Sequence, residues 1–381
     1  MNELNFSGGP GALPESVIAE TRRAIEMVPE AGLSLLGISH RSDWFAQVIA
    51  EAEANIRLLL NLSDDYAVLF LQGGATLQFS MIPMLLLRET GKQADYIDSG
   101  YWSSKAIPEA RREGRVNVVW SGQAEQYRRL PVDAELHLNA DAAYLHYASN
   151  ETVEGLQFHR LLGRDDVLRV CDMSSDFLSR PCQAEKFGLI YAHAQKNLGP
   201  AGVTVVVLRR DLLEKTPENL PAYLDYRNHA AMHSIYNTPP VLAIYVMLLV
   251  TRWLRDDIGG LKSMDRLNRA KAESLYYLID DSDGFYQSPV AVADRSLMNV
   301  VFRLPTPELE AEFLTQASAA GFHGLAGHRS VGGVRASLYN AVTLEATAQL
   351  CHFMHDFHKA QRVKLGPATQ LAERQSGSLH P

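Results

Sequence analysis

The chain reads as an α/β protein: a mostly parallel central sheet in a large domain, followed by a smaller α+β region. Three observations predict this. Short apolar runs rich in Val, Ile and Tyr recur through the first 210 residues, separated by helical or loop segments. The pattern changes after Asn237-Thr238-Pro239-Pro240, where a long helical stretch leads into a smaller mixed region. At 381 residues the chain is too long for one small core and suggests about two domains at roughly 150 residues each.

The elements follow in order. The Gly/Pro-rich start gives way to helical spacing over 14–27, and a longer helix follows over 42–60 with Asp43 near its start. Seven runs then have the length and composition of buried strands: AVLFLQ (67–72), ADYIDSG (94–100), VNVVW (116–120), AAYLHYAS (142–149), VLRVCDMSS (167–175), GLIYAHAQK (188–196) and GVTVVVLRR (202–210). Alternation with helices argues for a sheet covered on both faces, with functional groups at the carboxyl ends of its strands. A helical region over 241–279 is broken near Gly259-Gly260. LMNVVFRL (297–304) and GVRASLY (333–339) read as strands, and a last helix covers 344–361. No internal repeat is evident.

The composition is that of an ordinary globular protein, 46% hydrophobic and 21% charged. Lys+Arg 36 against Asp+Glu 44 leaves a net charge of −8, which gives no reason to expect nucleic acid or an anionic membrane as partner. A small anion is still compatible, since a local cluster of Arg and His suffices to hold one. The start MNELNFSGGPGALP lacks the basic and apolar regions of a signal peptide, and the apolar stretch over 241–254 is too short to span a bilayer. Three cysteines (Cys171, Cys182, Cys351) with no CxxC suggest a reducing compartment, and the expected location is the cytoplasm.

The chemistry centres on AHAQKNLGPAG (192–202). Lys196 ends an apolar strand and precedes a Gly-Pro turn, and lysine is almost never buried without a partner. Condensation with an aldehyde as a Schiff base removes the cost of burying an ammonium; a solvated loop lysine is the plainer reading of the motif alone. Asp172 stands at the end of the preceding strand, 24 positions earlier (196 − 172). A carboxylate and a lysine on neighbouring strand ends are what pyridoxal phosphate (PLP) needs, one to hold its pyridine nitrogen protonated and one to carry its aldehyde. An aspartate that caps a helix is the alternative for Asp172 by itself.

In LQGGATLQF (71–79) a strand runs into Gly73-Gly74-Ala75 and then a helical stretch, so that backbone N–H groups can approach a phosphate. Neither GxGxxG nor GKS/GKT is present, so a nucleotide site is unsupported. In SGYWSSKA (99–106) Trp102 lies just past a strand end, where its ring could stack on a cofactor or simply pack in the core. Two His-Arg pairs, His40 with Arg41 and His328 with Arg329, together with Arg335 in an otherwise apolar strand, are anion-site candidates. Surface ion pairs are the plainer reading of any one of them. HAAMH (His229, His233) and CHFMHDFH (351–358) carry spaced histidines, but neither is HExxH and neither has an identifiable third ligand, so no metal is expected.

Taken together, ISHRS, GGATLQF, DSGYW, SNETVEG (149–155), AQKNLGPAG, NTPP (237–240) and GHRSVGGVRASLYN (327–340) resemble the phosphoserine aminotransferases, a family of class V, fold-type I PLP enzymes. The resemblance runs from FSGGPGALP (6–14) to about residue 360. It implies Lys196 and Asp172 as catalytic residues, the lysine carrying the cofactor and shuttling protons. Trp102 would stack on the ring, Thr152 would reach its hydroxyl with Ser174 nearby, and Gly74, Ala75 and Gln195 would hold the phosphate. Asn237 and Thr238 would reach that phosphate from a neighbouring subunit, which implies a homodimer with shared active sites. Arg335 would bind the substrate α-carboxylate, and His40, Arg41, His328 and Arg329 its phosphate. The implied reaction is ping-pong transfer of an amino group between O-phospho-L-serine/2-oxoglutarate and 3-phosphooxypyruvate/L-glutamate, in serine biosynthesis. The family also acts on 4-phosphohydroxythreonine, on the route to PLP itself.

The implied organisation is a large PLP-binding domain over 16–262, a small domain from 1–15 plus 263–362, and a disordered tail over 363–381. Two departures stand out. Thr76 and Leu77 occupy loop positions where some members carry an arginine, and the residue three before the lysine, often glycine in the family, is His193. The rivals are another class V enzyme (an aminotransferase for a different substrate, a lyase, or a desulfurase with Cys182 as nucleophile) and a non-catalytic protein that keeps the fold as a binding module.

Overall fold

The computed structural model describes residues 4–376, with side chains described to residue 363. Its strands are β1 (Tyr66–Leu71), β2 (Gln93–Asp98), β3 (Arg115–Ser121), β4 (Leu145–Ala148), β5 (Asn150–Glu151), β6 (Leu156–Gln157), β7 (Arg169–Asp172), β8 (Leu189–His193), β9 (Thr204–Arg209), β10 (Asn299–Phe302) and β11 (Val334–Ser337). Its α-helices are α1 (Glu15–Glu26), α2 (Asp43–Leu60), α3 (Gly74–Leu86), α4 (Tyr101–Glu113), α5 (Tyr226–Ala231), α6 (Val241–Arg252), α7 (Leu261–Asp280), α8 (Pro307–Ala319) and α9 (Leu344–Ser376).

Seven strands form the main sheet, in the order β1-β9-β8-β7-β4-β2-β3. The β2, β3, β4, β7 and β8 pairings are parallel, while β9 runs antiparallel to both its neighbours, β8 and β1. The reversal has a local cause. The return from β8 to β9 is closed by a bond from Ala194 N–H to the Val203 carbonyl, 2.9 Å, and is too short for the helical crossover that a parallel pair needs. Since β1 and β8 flank β9 on opposite sides, every strand except β9 points its carboxyl end to the same edge.

Both faces of the sheet are covered, which is why its strands read as continuous apolar runs. In β1, Val68 and Phe70 pack into one core with α2 and α6, whereas Leu69 and Leu71 pack into another with α3 and α4. The period of two thus divides one strand between two helical layers. Helix α2 starts where Ser42 accepts a hydrogen bond from Phe45 N–H and ends at Asn61 in the left-handed conformation, φ 52°. A π-helical turn over Trp253–Asp257 prolongs α6, and positive φ at Gly259 and Gly260 separates it from α7, at the predicted break.

A third core combines Phe6 and Ala12 from the N-terminal segment with α7, α8, α9 and the antiparallel β10–β11 pair. The segment is held there by bonds from Phe6 N–H to the His323 carbonyl and from Ser337 N–H to the Phe6 carbonyl. It also touches the main sheet's loops, since Gly11 N–H donates to the Gln195 carbonyl, 2.8 Å.

The last helix extends past residue 361, where the sequence placed its end, to Ser376, and so enters the segment 363–381 expected as a disordered tail. The reason is legible in ATQLAERQS (368–376), which is again rich in good helix formers after Gly366-Pro367. Residues 377–381 of that expectation lie outside the described residues.

Candidate active site

Five strand ends converge. Beyond β8 lie Gln195 and Lys196, β7 ends at Asp172, and β4 leads into Ser149, β5 and Thr152. From β1 the chain passes through Gly73 into α3, and from β2 through Ser99-Gly100 into α4, whose second residue is Trp102. The result is a cavity of about 310 Å³ lined by Gly73, Gly74, Ala75, Thr76, Trp102, Asn150, Asp172, Ser174, Ser175, His193, Gln195, Lys196 and Ala201.

Lys196 is 7% exposed, and its Nζ donates to Thr152 Oγ1 at 2.6 Å. Thr152 Oγ1 is in turn 3.0 Å from Ser175 Oγ, which donates to the Asn150 carbonyl. The amine lies 5.7 Å from the centroid of the Trp102 ring. Burial pulls its pKa down to about 8, against the raising effect of the Asp172 and Glu151 carboxylates. A sizeable fraction is therefore free amine near neutral pH, as a nucleophile or a base requires.

Asp172 pairs in register with Ala148 on one side and Tyr191 on the other, which fixes it at the floor. Its Oδ1 accepts from Ser174 N–H at 2.8 Å. Burial raises this carboxyl above its ordinary value, while Ser174 and the Lys196 charge oppose the rise. A buried carboxylate satisfied on one oxygen is suited to a cationic N–H partner from a ligand.

On the wall, no side chain caps α3 at Gly73, so the first N–H groups of that helix open into the cavity beside Gly74, Ala75 and Gln195. Trp102 is fixed through its backbone. Glu151 accepts from Trp102 N–H and from Ser103 N–H, both at 3.0 Å, and Glu154 accepts from Tyr101 N–H at 3.0 Å. These two buried carboxylates lie in SNETVEG, from which sequence reasoning singled out Thr152 alone. The segment offered no signal for the others, because a carboxylate in a polar loop reads as solvated until a helix start is found against it.

At the rim, β11 carries Arg335, whose Nη1 lies 3.4 Å from the Thr152 carbonyl that it contacts as donor. Its Nε is buried without a partner, and among the described residues no carboxylate forms an ion pair with it. The His328 ring lies 4.9 Å from that of Tyr101, and burial followed by the Arg335 and Arg329 charges pushes its pKa down. Arg329 is exposed beside it.

Other predicted site residues are not gathered here. His40 and Arg41 line a separate cavity of about 540 Å³ with Ala46, Ile49, Met232 and His233, and no residue is common to the two linings. Asn237 is half-buried and Thr238 exposed, neither lines the Lys196 cavity, and Gln72 Nε2 donates to the Thr238 carbonyl at 2.8 Å. His229 Nε2 is 2.7 Å from the Tyr223 carbonyl, and no group of three or more His, Cys, Asp or Glu placed to hold a metal ion occurs among the described residues. None of the three cysteines lines the Lys196 cavity, all are free, and burial pushes Cys182 up to about 12.

The residues present fit PLP. A buried amine can carry its aldehyde and a buried carboxylate can face its ring nitrogen. An aromatic wall can cover its ring, and an uncapped helix start can take its phosphate.

Comparison with known proteins agrees. The family model described as Aminotransferase class-V matches residues 4–350. A phosphoserine aminotransferase of Rhodopirellula baltica is 50% identical over 93% of this chain and 94% of its own length. The solved phosphoserine aminotransferase from Bacillus circulans subsp. alkalophilus superposes with a TM-score of 0.91 at 45% identity, over 94% of this chain and 99% of that one. A PLP-bound phosphoserine aminotransferase from Trichomonas vaginalis superposes with a TM-score of 0.87 at 36% identity, over 93% and 99% of the two chains.

Proposed function

The chain belongs to the class-V aminotransferases, and from that premise we infer that it is one of those acting on O-phospho-L-serine, with PLP as cofactor. It moves the amino group between O-phospho-L-serine/2-oxoglutarate and 3-phosphooxypyruvate/L-glutamate, the transamination of serine biosynthesis. The observation that carries this is the pairing of the buried Lys196 amine with the buried Asp172 carboxylate on adjacent strand ends, beneath a rim that holds Arg335 and His328. 4-Phosphohydroxy-L-threonine carries the same amine, carboxylate and phosphate and falls within the same proposal.

Lys196 would carry the cofactor. Asp172 would face its ring nitrogen and Trp102 its ring. Thr152 would reach its hydroxyl with Ser174 alongside, and Gly74, Ala75 and Gln195 would take its phosphate. Bound there, PLP supplies an electron sink for the substrate Cα–H bond and a carbon that carries the amino group from one acid to the next. Asp172 would keep the ring nitrogen protonated. Lys196 Nζ would take the proton from the substrate Cα; its pKa of about 8 suits a base at neutral pH. Thr152 and Arg335 are linked through the Thr152 carbonyl, so the residue that orients Lys196 also meets the guanidinium proposed for the α-carboxylate. His328 and Arg329 would receive the substrate phosphate. The two acids would bind in turn at one site, as ping-pong transfer requires.

His40, Arg41, Asn237 and Thr238 would complete the site from a second copy of the chain. The support is their position: His40 and Arg41 line another cavity, and neither Asn237 nor Thr238 lines the Lys196 cavity. Free cysteines fit a reducing, cytoplasmic setting, and no helix among the described residues is long and apolar enough to cross a membrane.

One assay addresses both the reaction and the shared site. Lys196→Ala and Arg41→Ala proteins should each lose roughly 10²–10⁴-fold in transamination of O-phospho-L-serine with 2-oxoglutarate. Mixed after reversible dissociation, they should recover about a quarter of wild-type activity, since random pairing makes half the dimers mixed and one of each mixed pair of sites is intact. A fully active Lys196→Ala protein contradicts the catalytic assignment. A mixture that stays inactive contradicts the shared site.

A further inference from the structure

His193 is the last residue of β8, three positions before Lys196, and its side chain lines the same cavity. Its backbone is held in place. His193 N–H donates to Ser174 Oγ at 3.2 Å, which ties the strand end to the loop after Asp172. A Cβ built on Gly74 would lie 3.1 Å from His193 Cδ2 and 3.4 Å from Nε2, so this edge of the imidazole faces the first residue of α3. The other nitrogen, Nδ1, is buried with no hydrogen-bond partner.

Those facts single out Nε2 as the ring nitrogen that can meet a ligand, since Nδ1 is buried away from any partner. Burial, with the Lys196 charge adding to it, pushes His193 toward the neutral ring. A neutral ring has one N–H, and carried on Nε2 it lies on the Gly74 side. The group beside that proton is the uncapped start of α3, whose N–H groups and small residues form an anion cup.

We propose that His193 is a further cofactor-phosphate residue of this chain, its Nε2–H donating to the phosphate held at Gly74, Ala75 and Gln195. The proposal rests on the PLP reading of the cavity. It also gives the bulky residue at this position a purpose: glycine at 193 would leave the cup without a side-chain donor on that wall.

The test compares pyridoxal 5'-phosphate with pyridoxal, which has the same ring and aldehyde and lacks only the phosphate. Dissociation constants of both are measured by equilibrium dialysis for the full-length wild type, His193→Ala and His193→Gln, with melting temperatures to show that each variant is folded. His193→Ala should weaken pyridoxal 5'-phosphate by about tenfold or more, as expected for a hydrogen bond to a charged acceptor, and leave pyridoxal unchanged. His193→Gln, whose Nε2 amide can reach the same place, should restore most of the loss. Equal weakening of both compounds, or of neither, would overturn the role of His193 and leave the PLP site standing. A wild type that captures neither compound would overturn the PLP reading and this inference with it.

Discussion

Glu154 shows how single residues in this site are set by their surroundings. It accepts from Tyr101 N–H through Oε1, while Oε2 is buried with no partner and Glu151 lies alongside. Burial, then the Glu151 charge, raises its pKa to about 8. The folded protein therefore keeps a proton there that the unfolded chain releases near its ordinary carboxyl value. The stability this contributes is fully present below the unfolded value and is lost as pH rises through about 8. Glu154→Gln imitates the protonated side chain at every pH. It should melt with wild type near pH 5 and about 1–3 °C above it near pH 9, by calorimetry; an offset independent of pH would show that Glu154 is not protonated in the fold. Residues such as Lys196 and Asp172 were legible in the sequence because charged groups at the ends of apolar strands need a reason to be there. Glu151 and Glu154 were not, because their partners are backbone N–H groups at the start of α4, 49 and 53 positions away in the chain.

Elements place these residues, and the N-terminal segment does so most unexpectedly. Its glycines let other groups come close. A Cβ on Gly8 would collide with Arg335 Nη2, and the Tyr339 hydroxyl donates to the Gly8 carbonyl at 2.9 Å. The atom met by that Cβ is the end of a flexible side chain, so the fold should tolerate Gly8→Ala while the guanidinium moves. The expected result is a rise of about tenfold in apparent KM for both amino-acid substrates, with the melting temperature within about 1 °C of wild type. An unchanged KM would remove Arg335 from the carboxylate site. Long periodic elements such as α2 and the strands of the main sheet were legible because one pattern repeats over many residues. The two-residue strands β5 and β6 carry no period to read. Helix α8 did have its signal, Thr306 as N-cap with Pro307 at the first position, and went unread beside the neighbouring strand.

At the scale of the whole molecule, the sheet's direction does most of the work. Six strands end at one edge, and the loops after β1, β2, β4, β7 and β8 supply the cavity floor and walls. The β10–β11 pair adds Arg335 from a different core, so the site is assembled from regions far apart in the chain. Sequence alone could name the residues of both His-Arg pairs but not their placement. His328 lies against Tyr101 at the rim, whereas His40 is in another cavity, and only the fold separates the two.

The most direct test is a visible absorption spectrum of the purified, PLP-loaded protein, recorded before and after addition of O-phospho-L-serine alone. The band of the lysine-bound cofactor should be present, should be lost on adding the phosphorylated amino acid as the amino group is transferred, and should return with 3-phosphooxypyruvate. The Lys196→Ala protein should lack the band. A cofactor band that O-phospho-L-serine leaves unchanged, while L-glutamate shifts it, would keep the aminotransferase and contradict the phosphorylated substrate. A protein that shows no cofactor band with PLP present would contradict the account as a whole.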